Sequence, residues 1–199
     1  MPVPDHILRT FQEVGRDLYQ LALVTSHGGN LSRRDGDDLW ITGTGTMLGR
    51  LHERHIARVR SDGSHEGPAP SSDTILHTAI YALTDAGAIV HAHPRYAIAL
   101  SFDLEAFVPE DLEGALHLTE VPVIAQGPRQ VEEIALALRE RRIVLLRGHG
   151  AYAKGRDPWE ALHWTTALEE SAHIAVIRSG LRTGSAQPPP TLERPGDHE

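Results

Sequence analysis

His91 and His93 close a short apolar run, Ala88-Ile89-Val90-His91-Ala92-His93, which reads as a buried strand. Alternate side chains of a strand share a face, so both imidazoles can reach one ion and together make half a metal site. Pro94 stops the strand directly after His93 and leaves both rings near its end, where solvent and substrate have access. A second apolar run, Ile143-Val144-Leu145-Leu146-Arg147, ends at Gly148-His149-Gly150. Glycines on either side let the backbone turn and approach closely, so His149 suits the place of a third ligand. Three neutral imidazoles leave a divalent ion with positions free for substrate oxygens; zinc is the first choice and another divalent ion the alternative. The chain has no cysteine, so thiolate ligands, disulfides and cysteine nucleophiles fall away together. Each histidine also has an ordinary reading. A lone interior His is more often a satisfied core residue than a ligand, and only the His-x-His-Pro arrangement at a strand end shifts that balance. His77, one helical turn after Asp73, reads as a packed helix residue. His6, His52, His55, His65, His163, His173 and His198 read as surface groups, and His117 stays open.

Phosphate binding asks for N–H donors on small residues that let the backbone come close. Three stretches qualify: Gly28-Gly29-Asn30, Gly43-Thr44-Gly45 and Ser71-Ser72. The last sits where a helix N-terminus would favour an anion. Singly, each reads equally well as turn chemistry or helix capping. The formal net charge of −8 offers no footprint for nucleic acid or an anionic membrane, so an anionic ligand must be held by local groups.

These residues need elements to place them. A 199-residue chain with 40% hydrophobic and 23% charged residues fits one domain with one core. Ile7, Leu8, Phe11, Val14, Leu18, Leu21 and Ala22 recur at helical spacing, with Asp5 as the expected N-cap. Residues 26–32 and Leu39-Trp40-Ile41-Thr42 read as two strands joined by a turn at Asp35-Gly36. Ser71-Ser72-Asp73 reads as the start of a helix through Leu76, Ile80 and Leu83, ended by Gly87. Asp157-Pro158-Trp159-Glu160 has the capping-box arrangement and opens a long helix through Ile177. Residues 1–184 form the expected domain and 185–199 a Pro-rich, disordered tail. Strands and helices interspersed in this way argue for an α/β or α+β layered fold. No window approaches the ~18 apolar residues of a membrane helix. Met1-Pro2-Val3-Pro4-Asp5 lacks the features of a secretion signal, so the expected location is the cytoplasm.

In order along the chain, Gly28-Gly29-Asn30-Leu31-Ser32, Ile41-Thr42-Gly43-Thr44-Gly45, Pro70-Ser71-Ser72-Asp73, His91-Ala92-His93-Pro94 and Gly148-His149-Gly150 together resemble the class II aldolase/adducin family. The likeness runs from about Asp5 to Gly180 and is strongest to its fuculose-phosphate aldolase group. It implies a three-layer α/β/α single domain with a central mixed sheet, assembled as a C4 homotetramer with sites between subunits. It implies metal ligation by His91, His93 and His149, and binding of the substrate phosphate by Gly29, Asn30, Thr44, Gly45, Ser71 and Ser72. The implied reaction is that of a metal-dependent aldehyde-lyase, cleaving a phosphorylated ketose through a zinc-stabilised enediolate. A carboxylate beside the metal would move the proton, and Asp73 is the candidate. The sole lysine, Lys154, lies past the third histidine and does not suggest a Schiff base. Fuculose-phosphate-type aldolases carry Glu where this chain has Asp73. Ser71-Ser72-Asp73-Thr74 instead resembles the motif of L-ribulose-5-phosphate 4-epimerases, the alternative enzymatic reading. The second catalytic Asp of those epimerases falls at Ala115, and their C-terminal Tyr has no counterpart, Tyr152 being the last tyrosine. A non-catalytic, adducin-like scaffold is the third reading. A TIM-barrel hydrolase would need about 250 residues.

Overall fold

The computed structural model describes residues 2–184; the Pro-rich tail and His198 lie outside the described residues. Pro4 accepts from the N–H groups of Ile7 and Leu8 at 2.9 and 3.0 Å and opens helix α1, Asp5–Gln20. Asp5 is therefore the first helical residue and not the cap, although its charge still sits well against the helix dipole. Strands β1 (Asn30–Asp35) and β2 (Asp38–Thr42) form the expected hairpin. Two short 3₁₀ turns, Leu48–Arg50 and Glu53–His55, lead to β3 (Ile56–Val59) and β4 (His65–Glu66). Helix α2 (Thr74–Leu83) follows directly on Asp73. It ends before Gly87, whose N–H donates to Gly155 and whose carbonyl accepts from Arg34, so Gly87 opens the sheet and does not close the helix.

Next come β5 (Ala88–Ala92), α3 (Arg95–Ser101), β6 (Ala106–Phe107), α4 (Leu112–His117), β7 (Val121–Ile124) and α5 (Gln130–Glu140). Strands β8 (Ile143–Leu146) and β9 (Gly150–Gly155) precede the final helix α6, Pro158–Gly184. Asp157 Oδ1 accepts from the N–H of Glu160 at 2.9 Å. The Glu160 carboxylate reaches the N–H of Arg156, one residue before the cap.

Among the described residues the strands make one sheet in the order β4-β3-β2-β1-β5-β9-β8-β7-β6. Every pairing is antiparallel except β7 with β8, so the sheet is mixed. Alternation along each strand feeds two cores. Val90 and Leu145 join Phe11, Leu18 and Leu168 under α1, α3, α4 and α6. Ile89 and Val144 join Ile80, Ile134 and Leu138 under α2 and α5. The result is a three-layer α/β/α fold. Each fully covered Leu, Ile or Phe contributes about 1.5–3 kcal/mol, and this stiff double core is what holds the central strands in register.

Candidate active site

The register of the central strands sets the site. Asn30 of β1 lies opposite His91 of β5, and His91 lies opposite Tyr152 of β9. Directly opposed residues of antiparallel strands share a face, so Asn30, His91 and Tyr152 form a row across three strands, on the α2 side. Asp73 at the start of α2 stands against this row.

His91 is the hub. Its Nδ1 lies 3.0 Å from the carbonyl of Ala151; a carbonyl can only accept, so Nδ1 carries the proton and Nε2 is left with its lone pair. His93 Nε2 is 3.1 Å and His149 Nε2 3.2 Å from that atom. One ring nitrogen from each of the three lies within 4.8 Å of the others. Ligands held tetrahedrally at zinc–nitrogen distance are about 3.3 Å apart, so the three rings can hold a metal ion. Burial pushes His91 down to about 3, against the opposing pull of Asp73. His93 is lowered by burial and then by His149. Neutral rings keep their lone pairs for a metal.

Backbone fit makes this convergence possible. A Cβ on Gly150 would stand 2.4 Å from the Ala92 carbonyl and 2.7 Å from His93 Cδ2, so only glycine lets β9 come this close. Gly29, at φ +75°, turns in the left-handed region with the His91 carbonyl 2.7 Å from where a Cβ would lie. The main chain of His93 is pinned by donation to Leu23 at 2.6 Å.

Asp73 Oδ2 is 3.8 Å from His91 Nε2. It accepts from Asn30 Nδ2 at 2.8 Å and from the Tyr152 hydroxyl at 3.1 Å. Burial opposes ionisation of Asp73, but His91, the Asn30 amide, His77 and the Tyr152 hydroxyl outweigh it and hold the carboxyl below its ordinary range. Tyr152 is pushed upward by burial and by the Asp73 charge, so it stays a donor. Tyr152 is the member of this group that sequence reasoning missed. Its signal lies in strand register and not in spacing, since Asp73 is 79 residues away.

His77 packs as expected, fully buried on α2. Its Nδ1 is 2.7 Å from Ser32 Oγ, which in turn is 2.9 Å from the Tyr81 hydroxyl. Burial lowers His77 to about 4, against Asp73. His6, His52, His65 and His163 are exposed and His55 and His173 intermediate, while His117 packs its ring near Trp164 and His163.

Of the three loops, Gly28-Gly29 lies against His93 and His91, and the other two are joined to each other. Thr44 donates its N–H to Ala69 and its hydroxyl to Pro70, and the N–H of Ser71 goes to Thr42, stitching 42–45 and 69–71 into one platform. Both donors of Thr44 are thus spent inside the platform. The N–H groups of Gly29, Gly45 and Ser72 take part in no hydrogen bond among the described residues. A 470 Å³ pocket opens beside Thr44-Gly45-Thr46, lined further by His27, Arg50, His52, Arg54 and His55, without a carboxylate. In a chain of net charge −8 this is a locally basic wall.

Comparison with known proteins gives consistent results. The family described as Class II Aldolase and Adducin N-terminal domain matches residues 9–176. An L-fuculose phosphate aldolase of Methanococcus maripaludis is 34% identical over 179 residues, covering 88% of this chain and 99% of that one. A 3-oxo-tetronate 4-phosphate decarboxylase of Haemophilus influenzae is 30% identical over 182 residues, covering 85% and 87%. The crystal structure of L-fuculose-1-phosphate aldolase from Thermus thermophilus superimposes with a TM-score of 0.85 at 38% identity, covering 92% of this chain and 97% of that one.

Proposed function

This chain belongs to the class II aldolase and adducin family, and from that premise we propose that it is a metal-dependent aldehyde-lyase cleaving a phosphorylated ketose. The observation that carries this reading is His91 Nε2 at 3.1 and 3.2 Å from two further imidazoles and 3.8 Å from the Asp73 carboxylate. When bound by His91, His93 and His149, zinc or another divalent ion supplies a Lewis acid for adjacent hydroxyl and carbonyl oxygens. Asp73, ionised at neutral pH, takes the proton from the substrate carbon in the aldol direction and returns it in cleavage. The free N–H groups of Gly29, Gly45 and Ser72, with the Ser71 hydroxyl, hold the phosphate, while Thr44 braces the platform and Asn30 holds Asp73. The basic wall of Arg50 and Arg54 draws that dianion in against the overall charge. Phosphate binding at a distance from the reacting carbons fixes the substrate and lowers the entropic part of the barrier. We place the activity in the cytoplasm, in a homotetramer whose protomers each fold residues 1–184 as one domain.

A second reading has its own support. The decarboxylase relative and the Asp at position 73 favour decarboxylation or 4-epimerisation of a sugar phosphate at the same three histidines. The test is a zinc-loaded assay on a panel of ketose 1-phosphates, with released dihydroxyacetone phosphate measured by a coupled reductase. Turnover that a chelator abolishes supports the lyase. Silence there, with carbon dioxide released from a 3-oxo acid phosphate or ribulose 5-phosphate epimerised, replaces it with the second reading.

A further inference from the structure

The Asn30 amide and the Tyr152 hydroxyl both donate to the same oxygen of Asp73, Oδ2, at 2.8 and 3.1 Å. No hydrogen bond reaches Oδ1 among the described residues. Tyr152 is only 2% exposed. Its ring lies on His91 with centroids 4.1 Å apart and planes 11° apart, and the His77 ring stands nearly perpendicular to it, with centroids 6.4 Å apart and planes at 83°. A buried phenol stacked on one ring, with a second ring beside it, has no room to swing away, and a carboxylate bonded twice through one oxygen cannot turn freely about its broad terminal torsion.

We propose that Tyr152 is a positioning residue for the reaction: with Asn30 it holds Asp73 by Oδ2, so that Oδ1 is the atom that takes and returns the proton. The proposal rests on the reading of Asp73 as the base. A short carboxylate has little reach, and an error of about 1 Å in a reacting group can cost about 100-fold in rate. The clamp removes that error from Asp73. It acts through Asp73 and not on the substrate, because the hydroxyl is already committed and the ring is covered.

Tyr152→Phe keeps the ring and its stack on His91 and removes only the hydroxyl. In the zinc-loaded full chain, kcat for solvent deuterium exchange into dihydroxyacetone phosphate falls about 10- to 100-fold, as expected for loss of one hydrogen bond to a charged group. KM stays within about twofold and zinc affinity, by competition with a chromophoric chelator, within about threefold, since neither the phosphate loops nor the imidazoles change. Added to Asp73→Asn, the same substitution has no further effect. Wild-type kcat, equal losses in both backgrounds, or a zinc affinity that falls in step with kcat would each overturn the proposal. An Asp73→Asn variant with unchanged exchange would instead overturn the base assignment beneath it. Should Tyr152→Phe fail to fold, a structure of the zinc enzyme with dihydroxyacetone phosphate decides. Oδ1 facing the substrate's hydroxymethyl carbon supports the clamp, and Oδ2 facing it refutes the clamp.

Discussion

His93 illustrates how much one side chain can carry. Its ring nitrogen stands 3.1 Å from that of His91, and its main chain is fixed by Leu23, so its removal leaves two imidazoles in place but opens the set. His93→Ala should bind less than a tenth of the wild-type zinc by elemental analysis and lose turnover in proportion; full zinc occupancy would show that the ion sits elsewhere. The convergence of the three histidines was legible in the sequence because His-x-His at a strand end and Gly-His-Gly after one each state their own geometry, although β5 itself stops at Ala92 and the His93 N–H turns to Leu23. The placing of Asp73 beside His91 could be expected only from the company of neighbouring motifs. Tyr152 was not legible at all, because its place beside His91 depends on which residues of β5 and β9 face each other. The spending of both Thr44 donors inside the platform was hidden for the same reason: the partner is 25 or more residues away.

At the level of elements, α2 docks on the sheet through His77, which meets Ser32 of β1. The folded chain keeps His77 neutral down to about 4 and His91 down to about 3, whereas an unfolded histidine titrates near 6.5. Below pH 6.5 the unfolded chain therefore binds protons that the folded chain refuses, and stability falls as pH drops through that window. The unfolding free energy of metal-free protein from urea titrations should decline from pH 7 to pH 4.5, with a slope approaching about 1.4 kcal/mol per pH unit for each such histidine. His77→Gln should flatten the decline, and a decline of unchanged slope would show that His77 is not protected. The elements with strong apolar or capping signals, α1, the β1–β2 hairpin, α2, β5, β8 and α6, could be read directly. Strand β9, Gly-Ala-Tyr-Ala-Lys-Gly, could not, because small residues and two glycines give no strand signal; Gly150 allows close approach to β5 and Gly155 close approach to the start of α6. The sequence reading left Gln130–Glu140 unassigned, although Val131, Ile134, Ala135 and Leu138 recur at helical spacing.

The whole molecule has apolar surface that a lone protomer leaves in water. Leu112 and Leu116, one turn apart on α4, are 85% and 72% exposed, and Ile75 at the start of α2 is 74% exposed. Burial of such residues between protomers fits the proposed homotetramer. Sedimentation equilibrium should give a mass near four times 21.8 kDa, and a monomer at micromolar concentration would contradict that assembly. Among the described residues no helix is long and apolar enough to cross a membrane. The family and the three-layer fold were legible from five motifs in order, while the proposed reaction rests on one carboxylate, three imidazoles and the proposed phosphate loops acting together. Solvent deuterium exchange into dihydroxyacetone phosphate, on zinc-loaded protein, tests that combination without the aldehyde partner. The account predicts exchange that chelation abolishes, zinc restores and Asp73→Asn lowers by at least about 100-fold with zinc still bound. No exchange from protein carrying a full complement of zinc would contradict it.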